Sequence, residues 1–208
     1  SFDEISGNLV SNPTFDLGSE EVQNGGFNEL GSDRIDNGNF ETGIDGWSGV
    51  SGSDVTYNSE LKGIKLTLGA SGVSKAINTN SDTILGETYK LTYRVLENNN
   101  CTAITVWNGS QYEGSTVLNV EANGEDFVYY LKFIGNDSKK LYFENNTANS
   151  DITLSNIKLE QVDPNDRWIT AAGAEIVSDG ARINNTVTGG VANIQQAISN
   201  PSGKTFEF

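Results

Sequence analysis

Thr88-Tyr89-Lys90-Leu91-Thr92-Tyr93-Arg94-Val95 alternates without a break. Tyr89, Leu91, Tyr93 and Val95 fall on one side of an extended chain, and Lys90, Thr92 and Arg94 on the other. A period of two over eight residues is the mark of a half-buried β-strand, and it sets the reading of what lies on either side. Downstream, Phe127-Val128-Tyr129-Tyr130-Leu131-Lys132-Phe133 repeats the pattern with Phe127, Tyr129, Leu131 and Phe133 inward. Leu141-Tyr142-Phe143-Glu144 and Ile152-Thr153-Leu154-Ser155-Asn156-Ile157-Lys158-Leu159 continue it. Turn-forming clusters separate these runs, at 97–100, Asn108 to Ser110, Asn123-Gly124, Gly135 to Ser138 and Asn145 to Ser150. Short strands at such spacing predict an all-β antiparallel sandwich or barrel over residues 37–162.

Composition agrees. Hydrophobic residues make up 36% of the 208 and Gly contributes 23, while aromatics reach 9%, enough to build a core from short strands and turns. No stretch carries the 3.6-residue period of a long helix. The formal charge of -15 argues against nucleic acid, which needs a positive footprint, and against anionic membranes. No apolar run approaches the roughly 20 residues of a membrane helix, and no signal peptide is visible. With no His and a lone Cys101, the chain has neither Ser-His or Cys-His nucleophiles, nor an internal disulfide, nor a Cys-based zinc site. Its 28 acidic residues make carboxylate pairs inevitable, but no spacing singles one out, so a non-enzyme is expected. Carboxylates in that number could hold Ca²⁺. The absence of Met predicts a processed chain or a fragment.

Before the sandwich, Asn-x-x-Phe occurs three times: Asn12-Pro13-Thr14-Phe15, Asn24-Gly25-Gly26-Phe27 and Asn37-Gly38-Asn39-Phe40. Only the last copy runs on into Gly46-Trp47 and the strand series. Residues 1–36 therefore read as an extended leader that lies along a neighbouring domain or subunit. After Asp163-Pro164-Asn165-Asp166 the early pattern returns. Trp168 is trailed by Glu175-Ile176-Val177 and Ala181-Arg182-Ile183, as Trp47 is by Val55-Thr56-Tyr57 and Ile64-Lys65-Leu66. Gly190-Val191-Ala192-Asn193-Ile194 answers Gly72-Val73-Ser74-Lys75-Ala76, and Gly203 to Phe208 answers Gly86 to Leu91. Residues 163–208 are expected to be the start of a second, incomplete module of the same kind, continued beyond Phe208 or completed by another subunit.

The string Asn37-Gly38-Asn39-Phe40-Glu41, Gly46-Trp47, Gly86-Glu87-Thr88-Tyr89-Lys90-Leu91 and Ile152 to Leu159 resembles the jelly-roll carbohydrate-binding modules of galactose-binding-like fold. That resemblance implies a structural Ca²⁺ between the opening and closing strands. Its matching carboxylate is Glu41; the closing position falls at Ser155-Asn156, where Asp45 and Asp151 would have to compensate. It also implies sugar faces stacked on aromatic rings. Residues out of phase with their inward neighbours supply the candidates: Trp107, Tyr130 and Tyr142 as platforms, with Arg94, Lys132 and Glu144 as hydrogen-bonding partners. The alternative use of those rings is to cover the outer sheet face or to pack on the leader or a neighbouring subunit. Trp47 and Trp168, repeated at equivalent places, are expected in the core.

The leader, above all Ser11-Asn12-Pro13-Thr14-Phe15-Asp16-Leu17-Gly18-Ser19-Glu20-Glu21-Val22, is similar to segments of bacteriophage tail-fibre and other virion appendage proteins. This implies a non-catalytic structural or adhesive part of a virion, docked through the leader to other virion proteins. It would be a homo-oligomer with a trimer favoured, and surface glycan would be its ligand. The alternatives are a carbohydrate-binding module of a secreted bacterial polysaccharide-degrading enzyme, and a ligand-free spacer.

Overall fold

A computed structural model describes residues 28–50, 52–108, 115–133, 140–164, 168–170, 174–177, 180–183 and 193–195. The Asn12 and Asn24 motif copies, Gly190–Ala192 and Gly203–Phe208 lie outside the described residues. All regular structure among those described is β. The strands of the sandwich are β1 (Leu30–Asp33), β2 (Trp47–Gly49), β3 (Asp54–Asn58), β4 (Gly63–Leu68), β5 (Ser74–Asn78), β6 (Thr88–Asn99), β7 (Ile104–Asn108), β8 (Ser115–Leu118), β9 (Asp126–Lys132), β10 (Leu141–Asn145) and β11 (Ser150–Val162).

They form two antiparallel sheets in jelly-roll order. The six-stranded sheet runs β3-β4-β11-β6-β9, with β1 also on β11; the five-stranded sheet runs β2-β5-β10-β7-β8. The opening octapeptide is the middle of β6. Tyr89, Leu91, Tyr93 and Val95 are all buried, as their phase predicts. Facing them from the other sheet are Ile104, Val106, Leu141 and Phe143, each at 0% exposure. Aromatic rings tie the layers together: Tyr93 lies 6.3 Å from Phe143, and Trp47 lies 6.1 Å from Phe143 and 5.6 Å from Phe40. Trp47 is thus core, as expected.

β11 departs from the expected unbroken alternation. Ile152 and Leu154 are buried, but so are Ile157 and Leu159, which have the opposite parity. A bulge at Ser155-Asn156, with Asn156 at φ 52°, inserts the residue that restores the inward phase. The Asn37-Gly38-Asn39-Phe40 turn seats against this bulge. Ile157 N–H donates to Gly38 O at 2.9 Å, and a Cβ on Gly38 would stand 1.9 Å from Ile157 O. The Asn37 side-chain amide closes the loop on Gly43 O and Asp45 O at 3.0 and 3.1 Å, and Phe40 drops fully into the core. The motif is a plug for the closing strand. Upstream of it, β1 adds to β11 beside the sandwich, pairing Leu30 with Val162 and Asp33 with Glu160. This end of the expected leader docks on the sandwich that follows it in the same chain.

Past the sandwich come β12 (Ile169–Thr170), β13 (Ala174–Val177), β14 (Gly180–Ile183) and β15 (Ile194–Gln195). Their pairing repeats that of the first strands. Within the sandwich Ser48 pairs with Ile77 and Gly49 with Ala76; past it Ile169 pairs with Gln195 and Thr170 with Ile194. Counted from Trp47 and Trp168, and with Ile194 set against Ala76, the two registers coincide. The β13-β14 hairpin likewise matches β3-β4, where Val55 pairs with Leu66 and Tyr57 with Ile64; here Ala174 pairs with Ile183 and Ile176 with Ala181. On β13 this register differs by one residue from the correspondence expected from sequence, and Ala174 and Ile176 are the buried pair.

Candidate functional site

Registers across the five-stranded sheet place its outward side chains in two rows. One row runs Lys75, Glu144, Thr105, Val117; the other runs Ser48, Ile77, Tyr142, Trp107, Ser115. Each is out of phase with a buried neighbour such as Ala76, Phe143 or Val106, so all project from the face away from the core. Trp107 and Tyr142 are direct cross-strand partners on adjacent strands. They present two half-buried rings side by side.

A buried ion pair adjoins the Trp107 ring. Lys75 Nζ lies 2.7 Å from Glu144 Oε2, with the two side chains only 8% and 10% exposed. The same oxygen accepts the Trp107 Nε1–H bond at 3.1 Å, and Lys75 Nζ stands 5.2 Å from the centroid of the Trp107 ring. Three side chains from β5, β7 and β10 thereby fix one another. The indole cannot turn without giving up the Glu144 bond, and the ammonium takes a position over its ring. A charge pair this far from water persists only when both partners are present. Its charges cancel, so the ground around the indole is electrically neutral.

The six expected sugar-contacting residues therefore divide. Trp107, Tyr142 and Glu144 come together on this face. Arg94, Tyr130 and Lys132 lie on β6 and β9 in the other sheet, across the core from it. Arg94 Nε bonds Asp126 Oδ1 at 2.7 Å, and Asn156, aimed by the bulge, donates to Asp126 Oδ2 at 2.8 Å. Burial works to raise the Asp126 pKa, but the Arg94 and Asn156 hydrogen bonds outweigh it and hold the carboxyl below its usual value. Tyr130 pairs in register with Lys90, and Lys132 with Thr88. Alternation identified which side chains face outward but not which sheet carries them, because sheet membership depends on long-range pairing. Lys75 was not anticipated; its only signal is the shared phase with Ile77.

The metal expectation fares differently. Glu41, Asp45 and Asp151 are not gathered at one point, and no three of His, Cys, Asp and Glu among the described residues cluster to hold a metal. Glu41 is engaged by the Lys62 ammonium, whose own pKa the carboxylate raises. Ser155 Oγ donates to Lys62 O at 2.9 Å and sits 3.5 Å from Asn39 O, so opening and closing segments do meet here. Asp45 meets the Asn37 amide through its backbone carbonyl. Asp151 lies 2.9 Å from Lys65 Nζ and accepts from the Asn99 amide at 3.3 Å. One carboxylate already matched by an ammonium does not fit Ca²⁺, which wants several hard oxygens of net negative charge.

No protein-family model matches the chain, and no curated protein matches it. Among solved structures, the CBM22-1 xylan-binding domain from Paenibacillus barcinonensis Xyn10C is similar over 64% of this chain and 97% of its own, at 13% identity and a TM-score of 0.45. CBM29_1, a family 29 carbohydrate-binding module from Piromyces equi, is similar over 65% and 92%, at 13% identity and a TM-score of 0.38. At those scores the likeness carries no functional argument, and the reading of function rests on the site itself.

Proposed function

We propose that the sandwich is a non-catalytic carbohydrate-binding module whose site is the outer face of the five-stranded sheet. The observation that carries this is the in-register pair Trp107 and Tyr142, with the indole held by Glu144 and Lys75. Pre-fixed aromatic faces complement the C–H-rich faces of pyranose rings at small entropic cost. The exposed Ser48 and Ser115 hydroxyls on the same row supply hydrogen-bonding groups around them. Glycoside cleavage needs two carboxylates, whereas Glu144 is the one carboxylate in these rows and is already paired with Lys75. Neutral ground around the indole and a chain charge of -15 favour neutral sugars over uronic-acid or sulfated ones.

The repeated strand registers support a second module of the same kind after residue 163, so that adhesion would be multivalent. Such adhesion suits a virion appendage, with a secreted polysaccharide-degrading enzyme as the second setting. Binding to neutral and acidic polysaccharides, read by affinity electrophoresis and calorimetry, tests the site common to both. Neutral glycans should retard the protein, and Trp107→Ala should abolish the retardation while leaving the circular dichroism spectrum unchanged. Retention of binding by Trp107→Ala, or of acidic glycans alone, would overturn the proposal.

A further inference from the structure

We propose that two copies of this chain pair edge to edge through β9, an interaction surface separate from the glycan face. Among the described residues, β9 is the last strand of the six-stranded sheet. Phe133 N–H donates to Glu87 O at 3.0 Å and Gly86 N–H to Phe133 O at 2.7 Å, and the ladder to β6 continues from there as Lys132 with Thr88 and Leu131 with Tyr89. Bonding alternates along an antiparallel ladder. The odd-numbered residues of β9 therefore point their backbone groups at β6, and Asp126, Val128, Tyr130 and Lys132 point theirs at the outer edge.

The strand is chemically self-complementary about Tyr129. Folded back antiparallel on a second copy, Asp126 meets Lys132, Phe127 meets Leu131 and Val128 meets Tyr130. Opposite residues in such a pair share a face. Here Asp126, whose oxygens keep their bonds from Arg94 and Asn156, meets a lysine as a further charge partner, and the half-exposed Val128 meets an aromatic on the solvent side, while Phe127 and Leu131 stay together on the core side. The edge-facing parity of 126, 128, 130 and 132 also makes 126 with 132 and 128 with 130 the mutually hydrogen-bonded pairs. Charged residues at the ends of an edge strand ordinarily guard it against pairing. Opposite signs at mirror positions turn that guard into a match for one register and one partner, a second copy with twofold symmetry.

Sedimentation or light scattering of the wild-type chain up to roughly 100 µM, where a micromolar contact is populated, should show a dimer. Val128→Pro removes an edge-facing N–H at a position where proline is tolerated in an edge strand, so it should give a folded monomer with an unchanged circular dichroism spectrum. Should that variant fail to fold, Lys132→Glu is the second arm. Placing two like-charge contacts in the pair should weaken association about tenfold, an effect that salt reduces. A monomeric or trimeric wild type would overturn the proposal, as would an undiminished dimer in a folded Val128→Pro or in Lys132→Glu.

Discussion

Removing Glu144 tests the cluster at the candidate site most directly. In Glu144→Ala the Lys75 ammonium, 8% exposed, loses its counter-ion, and the Trp107 Nε1–H loses its acceptor. Stranding one member of a buried pair costs about 3–5 kcal/mol, and the lost hydrogen bond about 1 kcal/mol. Taking the lower end of the first, because the lysine stem can lift its head toward water, gives a loss of about 4 kcal/mol. For a chain of this size that lowers Tm by roughly 8–16 °C. Urea unfolding followed by tryptophan fluorescence reads the change. Two controls locate its cause. Glu144→Gln keeps an acceptor for the indole and should retain glycan binding better than Glu144→Ala. Lys75→Met with Glu144→Leu removes both charges and should recover most of the stability, since apolar replacements of buried pairs are often neutral or better. A loss below about 1 kcal/mol in Glu144→Ala would mean that the pair behaves as a solvated surface bridge, and would refute the account of a fixed platform.

Two further outcomes follow from the opposite sheet and the closing bulge. Gly38→Ala should destabilise the module by about 3 kcal/mol or more in the same assay, because its Cβ would stand 1.9 Å from Ile157 O at a contact held by the Ile157–Gly38 hydrogen bond. Asp126 has its folded pKa depressed below its unfolded value, so its contribution to stability is complete above about pH 4, the unfolded value, and is lost as pH falls through the folded one. Asp126→Asn should therefore flatten the acid limb of the stability curve and leave its shape near neutrality unchanged.

How much of this the chain discloses before folding can be traced residue by residue. The β6 alternation is a local steric property, and its inward set is the core as read. The parity break between Leu154 and Ile157 is equally local: two apolar pairs of opposite phase around Ser-Asn are the written form of a bulge. The expectation of unbroken alternation passed over it. By contrast, nothing near Arg94 or Trp107 in sequence says that they lie on opposite sheets. That follows from β7 pairing with β10 and β6 with β11, contacts between residues 33–41 and 54–72 apart in sequence. The same holds for Lys75, whose partner Glu144 is remote in sequence. The surroundings of the Ca²⁺ candidates were hidden for a related reason. Acidic residues can be counted from sequence, but Lys62 arriving at Glu41 depends on the β3-β4 turn.

The position of β11 has a kinetic consequence. This strand bonds β4 along its first half, β1 along its end and β6 along most of its length, so it completes the six-stranded sheet while being the last part of the module to be synthesised. Until Ser150 to Val162 has left the ribosome, β4 and β6 have no strand between them and the plug at Asn37 has no bulge to seat on. The nascent chain must hold three strand edges open until then, and long-range pairing of this kind closes slowly. The abundant turns and the large negative charge, which add nothing to the finished core, would keep that waiting chain soluble.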